Sequence, residues 1–183
     1  LHKEYRRQRQ MCIRDRYIGL EPHNWVTAWV AITDSNEHNG CMRMWSGSHK
    51  DNLKKHNQMF NEGNLLTRGQ TVNNVPIEKT TPLILEAGQM SLHHPTVVHG
   101  SDLNKSNDRR IGFVIQSYIG TNVKQVLGKN GVQLARGKDN YNFHETIERP
   151  KSLMDKNDLK IKKQENDNLQ EIFYKGSSKK GTY

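Results

Sequence analysis

The sequence predicts an all-β domain, a sandwich or barrel of short strands. Three observations point there. Apolar runs of four to nine residues are rich in aromatic and β-branched side chains, they are separated by Asn, Gly, Asp and Ser clusters, and almost no strong helical periodicity lies between them. A chain of 183 residues suits one domain with a real core, and no internal repeat divides it.

The elements follow in order. Residues 25–33, WVTAWVAIT, are too short and too β-branched for a helix. Alternation puts Trp25, Thr27 and Trp29 on one strand face and Val26, Ala28 and Val30 on the other. Residues 34–40, DSNEHNG, are turn chemistry, and residues 41–45 resume as a strand, so the pair predicts a hairpin. A polar stretch from SGSHK at 46–50 runs to about Lys79, the length of a lid or binding loop, with a short helix expected at 51–60. Residues 81–85 form the next strand, 87–89 a turn, and 90–92 the start of another strand. Two more strands follow within 92–118. Residues 121–141 show a weak mixed pattern, residues 151–169 predict a charged helix, and the Gly-Ser-Lys end predicts disorder.

The formal charge of +9 raises nucleic acid as a partner. Much of that charge lies in residues 1–16, LHKEYRRQRQMCIRDR, whose back-translation reads as a transposase-type sequencing adapter with its index. On this reading the segment is non-native and the protein is cut off upstream of Tyr17. Without it the charge falls to +5, ordinary for a soluble domain, and neither nucleic acid nor membrane is expected as a partner. Cys12 goes with the segment, leaving Cys41 alone, so no intrachain disulfide is expected and a reducing, cytoplasmic setting is.

The chemistry concentrates in residues 92–118, LHHPTVVHGSDLNKSNDRRIGFVIQSY. His99 ends an apolar strand and Arg110 opens another eleven residues later, so one hairpin is expected to present both. A histidine in this setting serves either as a metal ligand or as a hydrogen-bonded structural residue. Arg110 shares a face with Gly112, which leaves room for a ligand, and its planar fork suits a carboxylate. Ser101, on the face of His99, adds a hydroxyl to the same anion. Arg109 reads as a surface residue.

A metal-competent histidine, a carboxylate-anchoring arginine and a β architecture together describe a non-haem iron oxygenase using 2-oxoglutarate. The segments VTAWVAITDSNEHNGCMRMWSGSHK and LHHPTVVHGSDLNKSNDRRIGF closely resemble the phytanoyl-CoA dioxygenase family, a likeness extending from Tyr17 to about Gly120. The resemblance implies a partial double-stranded β-helix (jelly roll, cupin-like) over residues 17–150, with a helical or disordered tail over 151–183. It implies iron(II) and 2-oxoglutarate as cofactors, and a small-molecule substrate and O2 as partners.

By the same likeness His99 matches the distal iron ligand and the catalytic centre, Arg110 the arginine on the far carboxylate of 2-oxoglutarate, and Ser101 its hydroxyl partner. Trp29 and Thr27 are expected along the cosubstrate pocket, and Tyr17 matches an aromatic just after the first ligand motif. His94 fits a recurrent histidine five residues before the distal ligand. Asn39, Gly40, Gly47, Ser48 and His49 read as turn and framework residues. The family's first two ligands form His-x-Asp, and the matching positions hold Cys12, Ile13 and Arg14. The chain therefore reads as an inactive fragment of a hydroxylase. A halogenase of the same family and a non-catalytic jelly-roll binding module are the alternatives.

Overall fold

The computed structural model describes residues 18–50, 56–58, 70–72 and 74–175. In chain order its strands are β1 (Leu20–Glu21), β2 (Val26–Ala31), β3 (Met42–Trp45), β4 (His56–Gln58), β5 (Gln70–Val72), β6 (Thr80–Pro82), β7 (Met90–His93), β8 (His99–Ser101), β9 (Gly112–Tyr118) and β10 (Lys124–Gln125), followed by helix α1 (Lys156–Tyr174). All named strand pairs are antiparallel. The described residues divide into two compact units, one spanning Trp25–Tyr118 and the other combining residues 18–24 with residues 119–175.

The first unit holds two three-stranded sheets, ordered β7-β2-β9 and β6-β3-β8. Trp29 and Ala31 from the first sheet pack with Met42 and Met44 from the second and with Val97, and Leu83 and Leu85 close the cluster. The inward apolar side chains of this cluster are thereby removed from water, which is the main stabilising term where two sheets pack. The expected split of β2 holds for Thr27 and Trp29, which turn inward with Ala31. Ala28 is buried as well.

Two expected hairpins do not form. β2 and β3 lie in different sheets, because β7 and β9 occupy both edges of β2. The loop between them folds on itself instead. Asn36 Oδ1 accepts from the backbone N–H of His38 and Asn39, Asn39 Oδ1 accepts from Asn36 N–H, and Asn39 Nδ2 donates to the Asp34 carbonyl. Gly40, at φ 73°, passes so close to the 102–104 backbone that a Cβ there would lie 2.5 Å from the Asp102 carbonyl oxygen.

β8 and β9 likewise part company, β8 pairing with β3 and β9 with β2. The connection between them closes through Asn104, whose Nδ2 donates to the Asp108 carbonyl and whose Oδ1 accepts from Ser106. Thr33 then captures the chain entering β9. Its hydroxyl donates to the Arg109 carbonyl and accepts from Ile111 N–H. Near its end β9 carries an extra residue against β2, with Ser117 at φ 67°, a β-bulge.

The strand expected at 81–85 begins one residue earlier and is regular only to Pro82. Its extended course continues, since Leu85 and Ser35 exchange both backbone hydrogen bonds. The helix expected at 51–60 is replaced over residues 56–58 by β4, paired with β5. The rest of that expected helix lies outside the described residues. The segment 1–16, Tyr17 and the Gly-Ser-Lys end also lie outside them.

In the second unit, β1 pairs with β10, and α1 runs five residues further than the expected end at 169. Asp155 starts it, its carboxylate accepting from the N–H groups of Asn157 and Asp158. Glu165 on α1 accepts from the Gly131 amide at 2.7 Å, and the buried Ile172 packs against Gly128. No helix among the described residues is long and apolar enough to cross a membrane.

Candidate active site

The inward faces of the two sheets bring together the residues that matter. On β8, His99 stands opposite Met44 and Ser101 opposite Met42, so both share the face of two core methionines. On β2, Thr27 and Trp29 are almost fully buried, at 2% and 6% exposure. Arg110 arrives just before β9, where Gly112 stands opposite Ala31. Its guanidinium donates to the Ser101 hydroxyl at 3.4 Å and its Cζ lies 5.5 Å from the centroid of the Trp29 ring. One cation thus ties a residue of each sheet to the same spot.

The room expected beside Gly112 is taken. A Cβ at 112 would collide with the Trp29 indole, so the glycine serves close ring packing and not an open ligand cavity. Burial draws the Arg110 pKa down from its ordinary value, with the nearby Cys41 acting the other way. Desolvation of this kind strengthens an anion contact, because water competes less for the guanidinium. Cys41 itself is buried, and its thiol is pushed up by that burial and by Glu37, against the pull of Arg43 and Arg110.

His99 is 8% exposed and its Nδ1 lies 3.1 Å from the Val97 carbonyl oxygen. A carbonyl only accepts, so Nδ1 carries the proton and Nε2 is the lone-pair nitrogen of the neutral ring. This anchored tautomer is what a metal-ligating histidine requires. Beside it lies His93, ring centroids 5.1 Å apart, brought inward by its pairing with Thr27.

His93 is the residue that sequence reasoning passed over. The signal was alternation along β7, which sends residue 93 to the face of Thr27. His94 turns elsewhere, its Nδ1 accepting from Thr96 N–H and meeting the Thr96 hydroxyl, its ring 5.5 Å from that of His49. Arg43, a second interior-adjacent cation, is committed to structure, donating to Thr80 and Glu37. Among the described residues no group of three His, Cys, Asp or Glu side chains is placed to hold a metal ion.

The first unit's two three-stranded antiparallel sheets present a histidine anchored through Nδ1 and a partly desolvated arginine held against a serine hydroxyl and an indole ring. The family follows from comparison. The phytanoyl-CoA dioxygenase (PhyH) family model matches residues 6–112, more than half of the chain, and the chain belongs to that family. The match begins inside the segment read as non-native. Members of the family are 2-oxoglutarate-dependent dioxygenases.

Mouse (Mus musculus) peroxisomal phytanoyl-CoA dioxygenase is 28% identical over 117 residues, covering 63% of this chain and 34% of that protein. Among solved structures, the non-haem monooxygenase ThoJ in its apo form is similar at a TM-score of 0.77 and 27% identity, covering 92% of this chain and 60% of the other. Its nickel complex aligns at 0.70 and 26%, covering 91% and 59%. The chain thus spans about a third of the mouse protein's length and three fifths of ThoJ's.

Proposed function

We propose that the chain carries the cosubstrate side of a non-haem iron(II), 2-oxoglutarate-dependent dioxygenase that hydroxylates a small or medium organic substrate. The two sheets are then incomplete halves of a double-stranded β-helix. The observation that carries the reading is the partly buried Arg110 guanidinium held between the Ser101 hydroxyl and the Trp29 ring. Arg110 and Ser101 take the far carboxylate of 2-oxoglutarate, and Thr27 and Trp29 wall its carbon chain and exclude water.

His99 fits a metal ligand by its buried ring and anchored tautomer, and it offers Nε2. The described residues supply that one ligand and no complete set. The family's other two ligands match Cys12 and Arg14 in this sequence, which are not a His and an Asp. This chain therefore holds iron(II) weakly and turns over poorly. When bound, iron and 2-oxoglutarate supply the oxidising power, while the protein supplies orientation and dryness. Substrate choice rests on residues 51–79 and on the region around 136–143.

The test is anaerobic titration of iron(II) and 2-oxoglutarate, followed by the visible charge-transfer band. The given chain is expected to give little or no band, and a parent with His-x-Asp ahead of Tyr17 a full one. In that parent Arg110→Ala is expected to weaken 2-oxoglutarate binding by about 10- to 100-fold, the loss of a desolvated, charge-assisted contact. Unchanged 2-oxoglutarate affinity in the variant refutes the role of Arg110.

A further inference from the structure

The G-S-H-K turn at 47–50 stands apart from the cosubstrate contacts, yet it grips the chain immediately before His99. Gly47, at φ 80°, turns the backbone back after β3, and Ser48 N–H donates to the Trp45 carbonyl at 3.1 Å. The Ser48 hydroxyl, on a side chain 1% exposed, then accepts from Val98 N–H at 2.8 Å. The Val98 carbonyl accepts from Trp45 N–H at 2.9 Å. Val98 is itself fully buried, so its backbone groups depend on this turn for partners that water would otherwise supply.

The Val98 N–H and the Val97 C=O belong to one peptide group. A trans peptide is planar and its N–H and C=O point in opposite directions. Fixing the N–H on Ser48 therefore fixes where the Val97 carbonyl points, and that carbonyl is the partner of His99 Nδ1 at 3.1 Å. Donation from the N–H also polarises the amide and makes its oxygen a better acceptor.

We propose that Ser48 is a positioning residue for His99, acting through the Val97–Val98 peptide to hold the imidazole in its Nδ1–H tautomer with Nε2 as the donor atom. Its functional meaning rests on the reading of His99 as a metal ligand. The Thr96 hydroxyl, 3.3 Å from the His49 carbonyl, ties the same turn to the 94–98 loop a second time.

The experiment uses the full chain labelled with 15N-histidine, the His99 signals assigned by their absence in His99→Gln. In the native chain at mildly alkaline pH, His99 is expected to show one neutral Nδ1–H tautomer. In Ser48→Ala its nitrogen shifts are expected to move toward the tautomeric average, with the signals of His23 and His144 unchanged, and Ni(II) affinity is expected to fall roughly tenfold. Ser48→Cys keeps the volume with a weaker acceptor and is expected to lie between the two, which serves if Ser48→Ala does not fold. An Nε2–H tautomer in the native chain overturns the proposal without any variant. So do unchanged His99 shifts in a folded Ser48 variant. If Ni(II) leaves His99 unperturbed even in a parent with His-x-Asp ahead of Tyr17, while the tautomer responds to Ser48 as expected, the metal-ligand reading fails and the positioning role stands.

Discussion

At the scale of single residues, the environment of Cys41 makes a pH prediction. Burial and Glu37 raise its pKa above the ordinary thiol value, so the folded state holds the proton more tightly than the unfolded chain. Its contribution to stability is complete below the unfolded thiol pKa and is lost as pH rises through the higher folded one. Thermal unfolding is therefore expected to show a falling alkaline limb that Cys41→Ala flattens. Peptide mapping after alkylation near neutral pH is expected to find Cys41 unmodified in the native chain and modified after denaturation. Rapid native alkylation of Cys41 would contradict both its burial and its protonated state.

At the scale of elements, the two missing hairpins show what local sequence leaves open. Alternation and turn residues locate β2, β3, β8 and β9 well, because those signals are local. Which strand pairs with which is decided by edges: β2 is saturated by β7 and β9, so β3 crosses to the other sheet. The same crossing separates β8 from β9, yet it keeps Ser101 and Arg110 within contact distance.

Helix α1 depends more on its cap than on a broad apolar stripe, since Ile172 is its only buried residue among those described. Asp155→Ala removes the acceptor for two N–H groups and is expected to cost about 1 kcal/mol, read as a lower unfolding midpoint and reduced helical ellipticity. Loss of under ~0.3 kcal/mol would show that water replaces the cap.

At the scale of the whole molecule, the outer face of the β7-β2-β9 sheet is apolar in rows. Leu92, Ala28 and Ile115 stand in register, as do Met90, Val30 and Phe113. Leu92 is 63% exposed and Phe113 60%. Side chains so exposed contribute little to folding, but a contiguous apolar surface lowers solubility. Leu92→Thr combined with Phe113→Thr is expected to change stability by about 0.5 kcal/mol or less per site while delaying heat-induced light scattering. A large loss of stability would mean that the face is packed in solution.

The sequence by itself determined the β class, most strand positions, and the framework role of Asn39 and Gly40. These follow from period-two alternation, turn chemistry and the donor geometry of named side chains, all of which act over a few residues. Tertiary structure alone decided the strand pairing, the filling of the space over Gly112 by Trp29, the inward turn of His93 in place of His94, and the grip of Ser48 on the Val97–Val98 peptide. Each of those joins positions far apart in the chain, where edge availability and close packing, and not local preference, select the partner.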